Sequence, residues 1–159
     1  MDAQILIGLL LTILPIFELR GGLPFVVEYC LSNGLSIWPY FLLVVVLNIL
    51  VVLLLFLFFD FLHDSFMRLR PYRFVVGKWV ERTRKKAGDV WRRFDRWGYL
   101  ALVAFVAIPL PGTGAWTGTL IAWILGLDRK KSFAAIAAGV VIAGLLVLFA
   151  SLGLLSWFY

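Results

Sequence analysis

Apolar and polar positions alternate along the chain in blocks of unequal length. Residues 3–17 are almost wholly apolar, and residues 23–31 are apolar apart from Glu28. Between and overlapping these lies Glu18-Leu19-Arg20-Gly21-Gly22-Leu23-Pro24, with a carboxylate, a guanidinium, two glycines and a proline. A helix needs about twenty apolar residues to cross a bilayer, and neither block reaches that length. The pattern predicts two short arms joined by a break across residues 18–24, a re-entrant hairpin that enters and leaves a membrane on one side. Ser32-Asn33-Gly34 then supplies turn chemistry. Residues 36–62 are long enough to cross. Ser36 can cap this span, Pro39 falls in its first turn, and Trp38 and Tyr40 suit an interface. Asn48 is the one polar side chain between Phe41 and Phe59, placed to bond another helix or to contact a substrate.

The same pattern returns in the second half. Residues 99–108 and 115–125 are short apolar arms around Pro109-Leu110-Pro111-Gly112-Thr113-Gly114, and two prolines and two glycines within six residues break a helix. A second re-entrant hairpin is expected here. After the basic turn Asp128-Arg129-Lys130-Lys131, residues 132–157 form a second span, along which Ala135, Gly139 and Ala143 make a small-residue face for helix packing. The connection over residues 63–97 is different. Trp79, Thr83, Ala87, Val90, Trp91, Phe94 and Trp97 recur at helical spacing with basic residues on the other side. That spacing predicts an amphipathic helix lying in the interface, its cations toward lipid phosphates.

Composition fixes the class. Hydrophobic residues are 63% of the chain and mean hydropathy is +0.99, against roughly 45–50% apolar in soluble domains. The expected fold is an all-α membrane protein with two transmembrane helices and two re-entrant helical hairpins. It forms a single membrane domain over residues 1–159, made of hairpin and span at 1–62, the basic connection at 63–97, and hairpin and span at 98–159. The net charge of +6 reflects topology rather than nucleic acid, because every Lys and Arg other than Arg20 lies in the two connections on one face. The positive-inside rule makes that face cytoplasmic, with both termini outside a multi-pass cell-membrane protein. No Lys or Arg precedes Arg20, so no basic leader region is expected. Cys30 and His63 are the single cysteine and histidine, which argues against a disulfide or a metal cluster. With no nucleophile–base constellation, no enzyme activity and no cofactor are expected.

Counting crossings inverts the second hairpin-plus-span unit relative to the first, an inverted repeat whose two tips approach one midplane, as in many transporters. Tip one offers Glu18, Arg20 and the backbone N–H groups of Gly21 and Gly22. Tip two offers Pro111, Gly112, Thr113 and Gly114, then Trp116 and Thr117 on the following arm. Free N–H groups at a helix start favour anions, and Arg can grip a phosphate or carboxylate in bidentate fashion. Glu18 can carry a proton, since burial and the nearby Arg act on it in opposite directions. Glu28 is either a second proton site or a surface charge. Two roles stay open for Glu18 and Arg20: handling substrate and protons, or pairing with each other or with backbone to hold the tip together.

The Glu18–Pro24 motif, Asn48 and Ala107-Ile108-Pro109-Leu110-Pro111-Gly112-Thr113-Gly114-Ala115-Trp116-Thr117-Gly118 resemble the small multidrug export protein family. More distantly, the paired hairpins resemble the DedA superfamily, implicated in moving polyprenyl-phosphate and phospholipids, with acidic and arginine residues near the hairpin tips. Tip two of this chain has no arginine. The resemblance implies transport. The expected function is flippase-like alternating access for an amphiphilic anion of the lipid-linked phosphate type, with Glu18 coupling a proton. The alternatives are export of amphiphilic cations and a non-transporting membrane scaffold. Membrane lipids and an amphiphilic substrate are the expected partners. Because two spans shield two polar tips poorly, a homodimer is expected, with Ala135–Gly139–Ala143 a candidate contact.

Overall fold

The computed structural model describes residues 3–66, 97–110 and 112–155. Most of the expected amphipathic helix, and Pro111, lie outside them. The described elements are all helices: α1 Ala3–Ile13, α2 Glu18–Ser32, α3 Ile37–Phe66, α4 Trp97–Ala107, α5 Ala115–Ile124 and α6 Arg129–Leu155.

Helix length divides them into two groups. α3 and α6 have 30 and 27 residues, or about 40–45 Å at about 1.5 Å per residue, against a hydrocarbon core of about 30 Å. Their apolar stretches, Ile37–Leu62 and Arg129–Leu154, have mean hydropathies of 3.4 and 2.7. Large side chains such as Leu54, Phe61 and Phe149 stand exposed on them at 62%, 72% and 65%. Water would oppose so much apolar surface, whereas lipid accepts it. α1, α2 and α5 have 11, 15 and 10 residues and fall short of the core thickness.

The first break differs from the expected one. The chain turns at residues 14–17, around Pro15, and Glu18 through Pro24 form the opening turns of α2. Gly21 is helical and its N–H donates to the Phe17 carbonyl at 2.9 Å, so it offers no free donor. The glycines serve close approach instead. A Cβ on Gly22 would collide with Thr12 Oγ1 and the Gly8 carbonyl, and one on Gly8 would lie 2.8 Å from Val26 Cγ2. Small residues let membrane helices pack backbone to backbone, and that is how α1 lies on α2. Pro24 is tolerated inside α2 as prolines in membrane helices often are, where neighbours satisfy the freed carbonyl.

The core sits where α2, α3, α4 and α6 meet. Leu23, Val26, Val27, Val44 and Ile136 are fully buried there, and Val106 nearly so. Asn48, 1% exposed, donates through Nδ2 to the Thr12 carbonyl at 3.1 Å, while Thr12 Oγ1 donates to the Gly8 carbonyl at 2.9 Å. Asn48 is therefore an interhelical bond tying α3 to the end of α1. Ala135, Gly139 and Ala143 are buried, and a Cβ on Gly139 would come within 2.9 Å of Val103 O and Val106 Cγ1. Within this face, Gly139 packs against α4 of the same chain.

Gly22→Ala should cost about 1–3 kcal/mol by overpacking, read as a lowered unfolding midpoint in detergent. Gly153→Ala, where an added Cβ meets nothing within 4 Å, should leave the midpoint unchanged.

Candidate functional site

The turn at residues 14–17 delivers Glu18 in a left-handed backbone conformation, φ 48°, which a residue with a side chain adopts at a cost of about 1–3 kcal/mol. Glu18 is 6% exposed, and its carboxylate reaches the start of α5. The Ala115 N–H donates to Oε2 at 3.2 Å and the Trp116 N–H to Oε1 at 3.0 Å. The first N–H groups of a helix have no partner within it. Gly114, at the cap position of α5, has no side chain to supply one. Glu18 caps α5 from another element. Gly114 is required for this: its φ of 138° and ψ of −171° suit glycine alone, and an added Cβ would strike the Glu18 carboxylate.

Arg20 does the converse at the end of α4. Its Nη1 donates to the carbonyls of Leu110 and Thr113, both at 2.6 Å, and its Nη2 to Val106 at 3.1 Å and Ile108 at 2.9 Å. Helix ends leave carbonyls unpaired, and Pro109 and Pro111 lack the N–H that would continue the ladder. One guanidinium fills the deficit with four bonds. Thr113 Oγ1 lies 2.8 Å from the Ile108 carbonyl and 2.9 Å from that of Leu110, sharing its proton within the same tip. Each charge also faces the favourable pole of its helix, the carboxylate at the α5 N-terminus and the cation at the α4 C-terminus. The second tip reciprocates, because Trp116 Nε1 donates to the Ile13 carbonyl at the end of α1, 3.2 Å away.

An open cavity of about 460 Å³ lies between the tips, and Glu18, Arg20, Gly21, Gly112, Thr113 and Thr117 all line it. Behind it, Glu18, Arg20 and Asn48 border a void of about 10 Å³, close to the lower limit for a single water. Gly114 and Trp116 meet the site through Glu18. Two expected members are elsewhere. Gly22 faces Thr12 in the α1–α2 contact. Glu28 lies on the exposed surface, three helical turns along α2, where Gln4 Nε2 donates to its Oε2 at 3.3 Å. The indole bond of Trp116 to α1 was not anticipated. The carbonyl set around Arg20 has a sequence signal: two prolines that remove N–H donors, and a single cation outside the basic connections.

A family model described as "Putative small multi-drug export protein" matches residues 18–146, from the capping Glu18 into the second half of α6. No curated protein and no solved structure matches the chain.

Arg20→Ala leaves four carbonyls without their cation and should cost on the order of 3 kcal/mol. Low, non-denaturing guanidinium should raise the unfolding midpoint of that variant and leave the parent unaffected. Gly114→Ala and Glu18→Ala disturb one shared contact, so a double-mutant cycle of unfolding midpoints should be non-additive, the pair costing less than the sum.

Proposed function

The chain belongs to the small multi-drug export protein family, a membrane export family, and on that premise we propose that it translocates an amphiphilic anion whose head group competes with Glu18 for the start of α5. The observation that carries this reading is the Glu18 carboxylate on the N–H groups of Ala115 and Trp116, beside a cavity of about 460 Å³. A carboxylate there stands where a phosphate or carboxylate head of a substrate would bind. Protonation removes the charge of Glu18 and weakens its hold on those donors. The freed N–H groups and the guanidinium of Arg20 then favour an incoming anion, while its tail stays in lipid. Proton uptake and anion binding are linked in this scheme.

The movement is alternating access. In this reading the two short-helix pairs are re-entrant hairpins of an inverted repeat. The basic connections lie in the cytoplasm, the termini outside, and the tips meet near the midplane. Opening either side separates Glu18 from α5 and Arg20 from the tip that follows α4. A second copy is proposed to cover the open cavity, through a face other than the small-residue stripe of α6.

One observation favours the second reading, export of amphiphilic cations. The four carbonyls around Arg20, with Glu18 nearby, would suit a cation if the arginine withdrew. Flux of a prenyl-phosphate analogue into or out of proteoliposomes separates the two. The anion reading expects Arg20→Gln to abolish that flux and Glu18→Gln, locked neutral, to remove its pH dependence. Cation flux that tolerates Arg20→Gln selects the second reading, and flux unchanged by both substitutions sinks the site.

A further inference from the structure

A second feature lies at the opposite ends of the long helices, away from the tips. Leu53, Phe56 and Leu57 of α3 and Phe133 of α6 line an apolar groove of about 220 Å³, and Arg129 and Lys130 complete it. The groove has a charged end and an apolar end. Asp60, one to two turns further along α3, pairs with Arg129, and Trp123 Nε1 donates to its other carboxylate oxygen at 2.9 Å. Leu53 is seven residues from Asp60, so the groove extends about 10 Å inward from the charged rim.

The rim lies at the level of a membrane interface. Trp123 bonds Asp60 there and Tyr99 lies beside Lys131, aromatic side chains of the kind found at head-group depth. Lys131 Nζ stands 5.7 Å from the centre of the Tyr99 ring. Three cations, Arg129, Lys130 and Lys131, open α6, and its N-terminal dipole adds positive potential. Two acids oppose them. Asp128 caps α6 by accepting the Lys131 N–H at 2.9 Å, and Asp60 pairs with Arg129 through Nη2. The Arg129 guanidinium carries five N–H donors on a side chain that is 59% exposed. Lys130 lines the groove beside Arg129, while Asp128 accepts a backbone N–H.

We propose that this groove is a binding site for one anionic phospholipid, its phosphate held by Lys130 and Arg129 and its acyl chain lying along Leu53, Phe56, Leu57 and Phe133. A zwitterionic lipid offers the same phosphate but carries its own ammonium, which two clustered cations disfavour. Basic pockets between membrane helices bind anionic head groups on this principle. The site is independent of what the protein transports, since it shares no residue with the cavity between the tips.

The test uses the full-length protein in nanodiscs or vesicles of phosphatidylcholine with and without phosphatidylglycerol. Lipids retained on extraction are counted by native mass spectrometry, and unfolding midpoints are recorded alongside. The expected result is selective retention of one phosphatidylglycerol and a raised midpoint in its presence. Lys130→Gln should weaken that retention about fivefold, the worth of one interfacial lysine. Leu57→Trp, which fills the groove and leaves every charge in place, should abolish it. Inorganic phosphate should not raise the midpoint, because the acyl chain supplies much of the binding. Equal retention of the two lipids, or phosphatidylglycerol retention unchanged by both variants, overturns the proposal. So does stabilisation by inorganic phosphate alone. No transport measurement enters these outcomes, so failure of the proposed function leaves them readable.

Discussion

A helix broken within an apolar medium leaves N–H groups on one side of the break and carbonyls on the other, with little water to satisfy either. The break between α4 and α5 has this problem at both ends, and two residues of α2 solve it. Glu18 takes the N–H groups, Arg20 takes the carbonyls, and each stands at the helix pole that suits its charge. Side chains two apart on a regular helix do not face the same way. The left-handed backbone at Glu18 removes that obstacle by redirecting one of the pair. Local strain at one residue is thus the condition for a contact that ties the two halves of the chain together.

Much of this could be read in the residues. The long apolar blocks became α3 and α6, and the Pro-Gly segment after α4 became a true break. The first break was misplaced by several residues, and the reason is environmental. In a soluble chain Gly-Gly and Pro punctuate structure. Inside lipid, a helix keeps its backbone bonds because nothing else can replace them, and glycine becomes a surface for another helix. Gly22 against Thr12 and Gly8 is that use. The stripe of Ala135, Gly139 and Ala143 followed the same logic, but its period does not say whether the partner is α4 or a second copy.

The roles of Glu18 and Arg20 were legible only as alternatives. Their types and depth marked a site, and both pairing with backbone and handling a ligand were compatible with that. Their partners are about ninety residues away, at Val106 to Trp116, and local sequence does not carry such distances. The helix break at Pro109 and Pro111 was a usable clue, since carbonyls at a helix end must find donors. What no pattern disclosed was the simultaneous fit of one carboxylate to Gly114, Ala115 and Trp116.

The structure shows the pairing with backbone, and the proposed function adds ligand handling to the same contacts. Both charges are engaged by helix ends, and under the proposed function a charged ligand binds at the tips by displacing one of them. On that reading displacement loosens the contact that holds tip two against α2 and couples ligand binding to opening. A ligand shifts a conformational equilibrium only by its differential affinity for the two states. Losing contacts worth on the order of 3 kcal/mol would disfavour the open state about 150-fold. On the same reading the strain at Glu18, about 1–3 kcal/mol, relaxes when the carboxylate leaves α5 and offsets part of that penalty. Asparagine takes a left-handed backbone more easily than glutamate, but it would bring no charge to the N-terminus of α5.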